Sequence, residues 1–364
     1  MEQFDVLAFA TQGNNGDDER RLQQLLSRVR TSFFPIERVK KRQTFWALLR
    51  YIVRERPKLV VMEGTGLFGG LALLIGSRFG KVPYVISSGD AVGPYIASKH
   101  PMLGPLFHWY ERRLYRNAIG FIGWSPYLTG RALTYGTKFA MTAPGWAPSA
   151  LTDAQHDEAR ADIRTQYGIP NEQIVIGIVG SLNWNKRVGY CYGYELVKAV
   201  LSVKRQDITV LIVGDGDGKS KLEQLAMQAG ANRVIFTGRV LREEVPKYMS
   251  AMDLASLPQS IDQVGSFRYT TKVSEYLAAA LPIVMGKTPM SYDLNGDWIY
   301  RIQGNKPWEP AYIAALGELL EQITLEDIQQ RRHKVPKHSP VFNKEVQIHN
   351  VSDFIQDILL EVKR

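Results

Sequence analysis

The sequence has very little cysteine and no long hydrophobic run. Its single cysteine, Cys191, excludes an internal disulfide framework and fits a reducing compartment. No stretch reaches the roughly 20 apolar residues that a bilayer-spanning helix needs. The nearest stretch, residues 64–76, is short and rich in glycine, and we expect it to form a buried helix. The start, MEQFDVLAFAT, lacks a basic region ahead of an apolar core, so we expect a cytoplasmic protein without a secretory signal.

Several common catalytic and metal-binding patterns are also missing. The six histidines show no zinc-type spacing, which argues against a metal site, and there is no G-x-S-x-G nucleophile motif. The run VGDGDGKS at residues 213–220 has valine where a Walker A loop needs its first glycine. Its third glycine also comes one residue too early for the dinucleotide-binding pattern. We interpret this run as a tight turn between a strand and a helix, rather than as a metal site at Asp215 and Asp217.

What the sequence has in excess is positive charge. It contains 45 Lys and Arg against 36 Asp and Glu, a net charge of +9. This excess favours anionic ligands such as nucleotide phosphates, nucleic acid or an acidic membrane surface. Two basic stretches, Arg38–Lys58 and Lys99–Arg116, also contain aromatic residues. Each indicates either a helix lying on an anionic membrane or a core-facing helix with a solvated basic face. No recognised nucleic-acid-binding motif accompanies the charge, so we do not expect nucleic acid as a partner.

Length and periodicity predict two domains. A chain of 364 residues exceeds the size at which one hydrophobic core usually keeps growing. Short apolar strands alternate with helices in residues 4–142 and again in residues 174–285, which predicts parallel sheets covered on both faces. We therefore predict an α/β fold of two doubly wound, Rossmann-like domains that face a cleft. The predicted bounds are 1–150 for the first domain, 151–172 for a linker, 173–335 for the second domain and 336–364 for a C-terminal helical extension that packs on the first domain.

The loops that follow the predicted strands are the candidate binding loops, because ligands of such sheets lie outside the carboxyl ends of the strands. Several of these loops are rich in glycine, serine and lysine, a composition that is typical of phosphate binding. The candidate residues are Gly13, Asn14 and Gly16 in the first half of the chain, and Gly180, Ser181, Gly214 and Gly238 in the second half.

The stretch SFRYTTKVSEYLAAALPIVM, residues 266–285, shows the most complete site pattern. Thr270 and Thr271 are candidate N-cap residues of a helix that ends before Pro282. The N-terminus of this helix offers free backbone N–H groups and the positive end of a dipole, which suits a phosphate. Lys272 lies in the first turn, and Glu275 would face the same opening and accept hydrogen bonds from a sugar or ribose hydroxyl. A capped surface helix with an ordinary Lys/Glu pair explains the same residues equally well.

Residues 174–284 resemble the donor domain of the retaining glycosyltransferases of family four, which have the GT-B fold. The resemblance is carried by VGSLNWNKR, VLIVGDGDGKSKLEQLA, RVIFTGRVLREEVPKYMSAMDLASLP and TTKVSEYLAAALPIV. The first domain resembles the acceptor domain of that family more loosely, through PYVISSGD, YERRLYRNAIGFIGWS and PGWAP. The resemblance implies sugar transfer from a nucleotide-diphosphate sugar, with retention, to a saccharide or lipid-linked saccharide in cell-surface polysaccharide or glycolipid synthesis. We expect a UDP-sugar as the donor substrate, and neither a metal nor another cofactor.

The resemblance also implies a role for each matching residue. Lys186 would contact the donor diphosphate, with Thr271 and Lys272 near the phosphates, while Glu275 would bind the ribose. The residues that would frame the base are Gly238, Arg239 and Val240, and those that would face the acceptor are Gly13, Asn14 and Gly16.

Three positions depart from the family pattern. Ser181 stands where the family has a basic residue, and Arg187 and Arg268 are the candidates to take its place. Phe267 stands in place of the first acid of the family's Glu-x7-Glu pair. The family's histidine near the third strand is replaced by Ser88-Gly89-Asp90, and Asp90 is our candidate for a polar contact near the acceptor or the donor sugar.

Two other kinds of function stay open. The first is a sugar-nucleotide epimerase or a phosphorylase of the same fold. Isotope exchange at the sugar without an acceptor would favour an epimerase, and dependence on free phosphate would favour a phosphorylase. The second is a non-catalytic partner protein that keeps the fold without the chemistry, which measurable donor hydrolysis or transfer would exclude.

Overall fold

The protein consists of two compact units. The first unit contains the chain up to Gly145, the segment Phe267–Tyr269 and the chain from Pro340, and the second unit contains the rest. The computed structural model describes residues 5–37, 39–147, 150–229 and 233–363. Phe4, Arg38 and Pro148, which entered the sequence predictions above, lie outside the described residues.

The first unit alternates strands and helices as predicted. Its strands are β1 (Val6–Ala10), β2 (Thr31–Phe33), β3 (Leu59–Glu63), β4 (Tyr84–Ser88), β5 (Gly120–Gly123) and β6 (Phe139–Thr142). The helices between them are α1 (Asp17–Leu25), α2 (Lys41–Glu55), α3 (Leu67–Gly80), α4 (Val92–Lys99), α5 (Gly104–Arg116) and α6 (Pro126–Tyr135). The strands form one parallel sheet in the order β2-β1-β3-β4-β5-β6. Strand β2, with the sequence TSF, is not among the predicted strands, because it has only one large apolar side chain.

The second unit repeats this plan. Its strands are β7 (Ile174–Val179), β8 (Ile208–Val213), β9 (Val234–Gly238), β10 (Leu254–Ser256), β11 (Ile283–Gly286) and β12 (Ile299–Ile302). Its helices are α7 (Asp153–Gln166), α8 (Tyr194–Ser202), α9 (Lys219–Ala226), α10 (Val245–Ser250), α11 (Thr271–Ala278), α12 (Pro289–Asp293), α13 (Pro310–Gln322) and α14 (Leu325–Arg332). The parallel sheet has the order β12-β11-β10-β7-β8-β9. The last helix, α15 (Lys344–Lys363), belongs to the first unit.

The central strands explain why this alternation was readable from sequence. A parallel sheet covered on both faces needs strands that are apolar along most of their length. Strands β7, IVIGIV, and β8, ITVLIV, fit this requirement, and every residue in them is buried. The predicted fold class, two doubly wound α/β domains, is confirmed.

Strand order sets the place where each sheet can bind a ligand. In the first sheet the chain runs from β1 out to β2 and then returns to β3 on the other side of β1. In the second sheet it runs from β7 through β8 to β9 and then returns to β10 on the other side of β7. Neighbouring loops diverge at such reversals, and the crevice that opens at the carboxyl ends of the two strands is the usual ligand site. The two sites to inspect are therefore the carboxyl ends of β1 and β3, and those of β7 and β10.

The units differ from the predicted domain bounds in the region predicted as a linker. Residues 151–172 contain helix α7, which belongs to the second unit. Arg160 and Arg164 of α7 donate to the two carboxylate oxygens of Asp253, just before β10, at 2.6 and 2.7 Å. These charged side chains tie α7 to the sheet, so its polar sequence does not make it a free linker.

The C-terminal helix packs on the first unit, as predicted. Gln347 of α15 exchanges two hydrogen bonds with the backbone of Gly145, at 2.8 and 2.6 Å. Ile358 lies so close to Gly120 that a Cβ atom there would sit 2.6 Å from its Cδ1 atom. The end of the chain therefore completes one face of the first sheet.

A buried ion pair lies beneath the carboxyl edge of the first sheet. Arg21 of α1 donates to Oε2 of Glu63, the last residue of β3, at 2.8 Å, and their side chains are 9% and 1% exposed. Arg21 also donates to the carbonyl of Ala143 at 2.5 Å, and Trp124 donates to Oε1 of Glu63 at 3.2 Å. Burial raises the pKa of Glu63, and the Arg21 charge opposes that shift. The pair thus joins α1 to the ends of β3, β5 and β6.

We expect Arg21→Met to destabilise the protein strongly, because it leaves the carboxylate of Glu63 buried without its cationic partner. Removing one partner of a buried pair costs about 3–5 kcal/mol in the free energy of unfolding, whereas replacing both with apolar side chains is often neutral. Urea unfolding should therefore show that R21M/E63L regains much of the stability lost in R21M.

The matched control is Arg20→Met on the same helix. The Arg20 side chain is exposed, and its ion pair with Asp17 is long, at 3.9 Å. This control should change the free energy of unfolding by about 0.5 kcal/mol or less. An R21M variant as stable as R20M would show that the buried pair does not hold this edge together.

Candidate functional site

The loops after β7, β8 and β9 enclose a cavity at the carboxyl edge of the second sheet. Its volume is about 650 Å³. The predicted site residues that line it are Gly180, Ser181, Gly214, Arg239 and Val240. The other lining residues are Val179, Asn183, Val213, Asp215, Gly216 and Val245. The fold therefore brings predicted site residues from the loops after three separate strands into one cavity.

Backbone hydrogen bonds hold these three loops together. Gly180 donates its N–H to the carbonyl of Val213 at 2.9 Å, and Gly214 donates to that of Gly238 at 3.0 Å. Gly214 has φ +143°, and a Cβ atom there would lie 1.9 Å from the carbonyl oxygen of Gly180. Only glycine fits this position, because any side chain would push the first loop away from the second.

The run 213–220 forms the predicted turn between a strand and a helix. Strand β8 ends at Val213, and α9 begins at Lys219. Asp217 accepts a hydrogen bond from the backbone of Trp184 at 2.6 Å, and Asp215 accepts one from Gly216 at 2.8 Å. These carboxylates thus accept hydrogen bonds from loop backbone. Across the described ranges, no group of three or more His, Cys, Asp or Glu residues is arranged to hold a metal ion.

Helix α11 begins beside Gly180, at the point where the sheet reverses. Lys272 is its second residue, and a Cβ atom on Gly180 would lie 3.2 Å from the Lys272 Nζ atom. This Nζ atom also sits 4.4 Å from the centre of the Tyr192 ring. Thr270 occupies the predicted N-cap position, but its side chain makes no capping hydrogen bond. The first N–H groups of a helix have no acceptor within the helix, so those of Thr271 and Lys272 are available to an anion.

Lys186 and Arg187 lie on an exposed loop that follows β7. Two backbone hydrogen bonds between Asn185 and Tyr190, at 2.8 and 3.3 Å, close this loop. The ammonium group of Lys186 has no ion-pair partner within the part of the chain that the structure describes. Lys186 does not line the cavity, but Asn183 of the same loop does.

Glu275 lies one turn into α11 and lines a different cavity of the second unit, of about 540 Å³. This cavity is formed mainly by residues of α7, α10, α11 and α14. Burial raises the pKa of Glu275, and the charges of Lys272 and Arg242 oppose that shift. Glu275 is therefore close enough to Lys272 for that charge to affect its pKa, but it does not line the cavity at Gly180.

A buried carboxylate that the sequence did not point to lies beneath these loops. Glu195 of α8 has no exposed surface, and it accepts hydrogen bonds from Tyr190 at 3.0 Å and from Ser256 at 3.1 Å. The one available signal was an acidic residue in an otherwise apolar helix turn, YELV.

The predicted acceptor residues lie at the reversal of the first sheet. Gly13 has φ +106°, Asn14 donates its N–H to the carbonyl of Ile36 at 3.0 Å, and Gly16 is the N-cap residue of α1. A cavity of about 230 Å³ opens beside them. Its lining residues are Thr11, Gln12, Ile36, Glu37, Lys41, Thr44, Phe45, Leu48, Gly66, Leu67, Phe68 and Gly69.

Asp90 and Arg268, two predicted site residues, form an ion pair with each other. The segment Phe267–Tyr269 belongs to the first unit, and Arg268 reaches from it to the loop after β4. The neighbouring carbonyl of Phe267 accepts a hydrogen bond from Ser125 at 2.5 Å. The charge of Asp90 is thus offset by Arg268, a pairing across 178 residues of sequence that spacing could not reveal.

Comparisons with known proteins assign both halves of the chain to glycosyltransferase domain families. Residues 173–322 match the family described as "Glycosyl transferases group 1". Residues 2–143 match the family described as "Glycosyl transferase 4-like domain".

Two relatives come from Streptomyces kanamyceticus. A 2-deoxystreptamine glucosyltransferase is 25% identical over 268 residues, which cover 71% of this chain and 65% of that relative. An alpha-D-kanosaminyltransferase is 27% identical over 213 residues, which cover 55% of this chain and 50% of that relative. The chain thus spans less than two thirds of the length of both relatives.

A solved structure of Anabaena HepE in complex with UDP and glucose is similar in fold. It has a TM-score of 0.68 and 15% sequence identity, and the match covers 98% of this chain and all of that chain. At this identity the likeness shows the fold. The two family matches separately identify a glycosyltransferase domain in each half of the chain.

Proposed function

We propose that this protein is a retaining, metal-independent glycosyltransferase that uses a nucleotide-diphosphate sugar, with a UDP-sugar as donor. The observation that carries the proposal is the position of Lys272 and the start of α11 beside Gly180. A cation and free amide groups thus meet a cavity edged by glycine, at the strand reversal where such sheets bind ligands. The UDP complex of HepE, which has the same fold, supports this choice of donor.

The geometry explains how the second unit would promote the reaction. Breaking the bond to the anomeric carbon releases negative charge onto the diphosphate. The Lys272 ammonium group and the first amides of α11 can stabilise that charge as it develops, and the exposed Lys186 can approach it from the loop. Because Gly180 carries no side chain, the end of the Lys272 side chain can lie against it, with Nζ 3.2 Å from where a Cβ atom would be.

The remaining donor contacts follow from position. Arg239 and Val240 line the far side of the same cavity, after β9, and we assign them with Gly238 to the base. Ser181 also lines the cavity, and Arg187 is the candidate to supply the missing basic group. The ribose contact predicted for Glu275 is not part of this proposal, because Glu275 lines the other cavity of the second unit.

We assign the acceptor to the cavity beside Gly13, Asn14 and Gly16. It combines apolar side chains such as Phe45 and Phe68 with polar ones such as Gln12 and Glu37. This mixture suits a saccharide or lipid-linked saccharide that presents a hydroxyl group. The ion pair of Asp90 with Arg268 places a carboxylate at the end of β4, where it can contact the acceptor or the donor sugar.

We expect Lys186→Ala to lower turnover roughly a hundredfold or more, because it removes one contact to the charge that develops on the leaving diphosphate. The measurement is UDP release from UDP-glucose, with the fold checked by circular dichroism. The matched control is Lys204→Ala, which removes another exposed cation, before the start of β8 and away from the carboxyl edge of the sheet. Equal turnover in K186A and wild type would remove Lys186 from the mechanism.

One face of the first unit supports attachment to an anionic membrane. Phe79 on α3 is 72% exposed, and Trp109 on α5 is 56% exposed. Both helices contact one groove, into which Arg78, Lys81 and Arg113 also project. Helices α3 and α5 together contain one acidic residue, Glu111, which is buried and paired with Arg131. The glycine-rich run predicted as a buried helix thus forms part of α3, whose outer side faces solvent.

The first basic stretch also has an exposed aromatic residue, because Trp46 of α2 is 57% exposed. Leu48 and Ile52 of α2 are fully buried, and the backbone of α3 packs against Ile52 at Gly76. The inner side of α2 thus packs on the core, as the inner side of α5 does. We propose that the face formed by α3 and α5, where exposed aromatic and basic side chains occur together, rests on the membrane. Across the described residues, no helix is long and apolar enough to cross a bilayer.

Vesicle sedimentation tests the membrane proposal. The protein should bind vesicles rich in phosphatidylglycerol at low salt and release them at high salt, because a basic and aromatic face binds by charge and by insertion. The variant F79S/W109S should lose most of this binding. Tyr292→Ser, which removes an exposed aromatic side chain of the second unit, is the control and should bind like wild type. No binding of the wild type at low salt would refute the proposal.

A further inference from the structure

Glu195 is a buried acid without a cation. Its side chain is fully buried, and it has no ion-pair partner among the residues that the structure describes. Burial raises its pKa to about 7, and the hydrogen bonds from Tyr190 and Ser256 oppose that shift. A buried carboxylate destabilises a fold relative to an apolar side chain of similar volume. The contacts of Glu195 show what this carboxylate does in the unit.

One oxygen of Glu195 anchors the loop that carries Lys186. Tyr190 donates its hydroxyl to Oε2 of Glu195 at 3.0 Å. The backbone of Tyr190 exchanges hydrogen bonds with Asn185, the residue before Lys186. The position of Tyr190 therefore fixes one end of the turn formed by residues 185–190, on which Lys186 lies.

The other oxygen of Glu195 connects to α11. Ser256 at the end of β10 donates its hydroxyl to Oε1 of Glu195 at 3.1 Å. The carbonyl of the same Ser256 accepts a hydrogen bond from the hydroxyl of Tyr276 in α11 at 3.2 Å. Tyr276 also accepts a hydrogen bond from the N–H of Val179, the residue before Gly180, at 3.4 Å. The chain of contacts thus runs from the Lys186 loop to the helix of Lys272 and to the edge of the cavity.

We propose that Glu195 is a positioning residue that fixes the separation of Lys186 and Lys272 around the diphosphate, acting through Tyr190 on one side and through Ser256 and Tyr276 on the other. This inference rests on the proposed function, because it assumes that both lysines contact the same ligand. Glu195 itself touches no substrate. Its carboxylate supplies two acceptor oxygens at one point beneath the site, which an amide cannot do, because an amide has one acceptor and two donors.

The sharpest test removes one hydroxyl from this network. Tyr190→Phe should weaken UDP binding about tenfold by calorimetry, the scale of one hydrogen bond to a charged group. Glu195→Gln should have a similar effect, because one of the two hydroxyls loses its acceptor. Tyr300→Phe is the matched control, because Tyr300 also donates to a carboxylate, that of Asp327, away from the cavity. It should leave the Kd for UDP within about twofold of wild type, well below the change that one such hydrogen bond produces.

A double-mutant cycle separates positioning from general weakening. If Tyr190 acts through Lys186, Y190F should change the Kd for UDP less than about twofold in a K186A background, because coupled residues are not additive. A full tenfold effect of Y190F in that background would overturn the proposal. So would a Kd for Y190F equal to that of wild type.

The rate of trypsin cleavage in this turn tests the anchor without any UDP. Lys186 and Arg187 are exposed trypsin sites within the anchored turn. Local opening controls cleavage of a folded protein, so native Y190F and E195Q should be cut there several times faster than wild type and Y300F. Faster cleavage without any UDP binding to wild type would reject the proposed function while supporting the anchor. Cleavage at the wild-type rate would reject the anchor whatever the ligand.

Discussion

The close approach of two backbone segments, at Gly180 and Gly214, shapes the binding edge of the second unit. The space between them is so small that a Cβ atom on Gly214 would lie 1.9 Å from the carbonyl oxygen of Gly180. The approach brings the ends of β7 and β8 together, and the hydrogen bond from Gly214 to Gly238 adds the end of β9. With α11 starting beside Gly180, the cavity, the cation and the free amides come to one place. The proposed donor site depends on this arrangement.

Each unit has a buried carboxylate beneath the carboxyl edge of its sheet, although the partners of the two carboxylates differ. In the first unit the buried Glu63 is paired with Arg21 and joins α1 to the ends of three strands. In the second unit the buried Glu195 is held by hydroxyl groups and joins a loop to α11. In both, one carboxylate fixes several chain segments because its two oxygens accept hydrogen bonds from different directions. Burial strengthens such bonds and makes the loss of a partner costly.

The sequence predicted the alternation, the candidate loops and the start of α11, because each depends on local patterns. Apolar strands such as β7 and β8 are readable because a sheet covered on both faces must be apolar throughout. Helix α8 begins only at Tyr194, because the backbone of Tyr190 closes the preceding loop and Gly193 takes φ +90°. Strand β12, with the sequence IYRI, was not predicted, because Arg301 interrupts its apolar run.

The parts that sequence could not predict are contacts between distant residues. Arg268 with Asp90, Arg21 with Glu63 and Ser256 with Glu195 are separated by 178, 42 and 61 residues. No local pattern determines such a pair, because it forms only after the strands have taken their order. The polar run near Arg160 was similarly misleading, because its buried partner, Asp253, lies 93 residues away.

The central claim is that the carboxyl edge of the second sheet binds a nucleotide diphosphate. Hydrogen–deuterium exchange with and without UDP tests it most directly, since a bound ligand slows exchange of the amides it covers. The account predicts slower exchange at residues 180–187, 214–218 and 238–240, and in the first turn of α11. Unchanged exchange at all these places, or protection confined to the cavity that Glu275 lines, would contradict it.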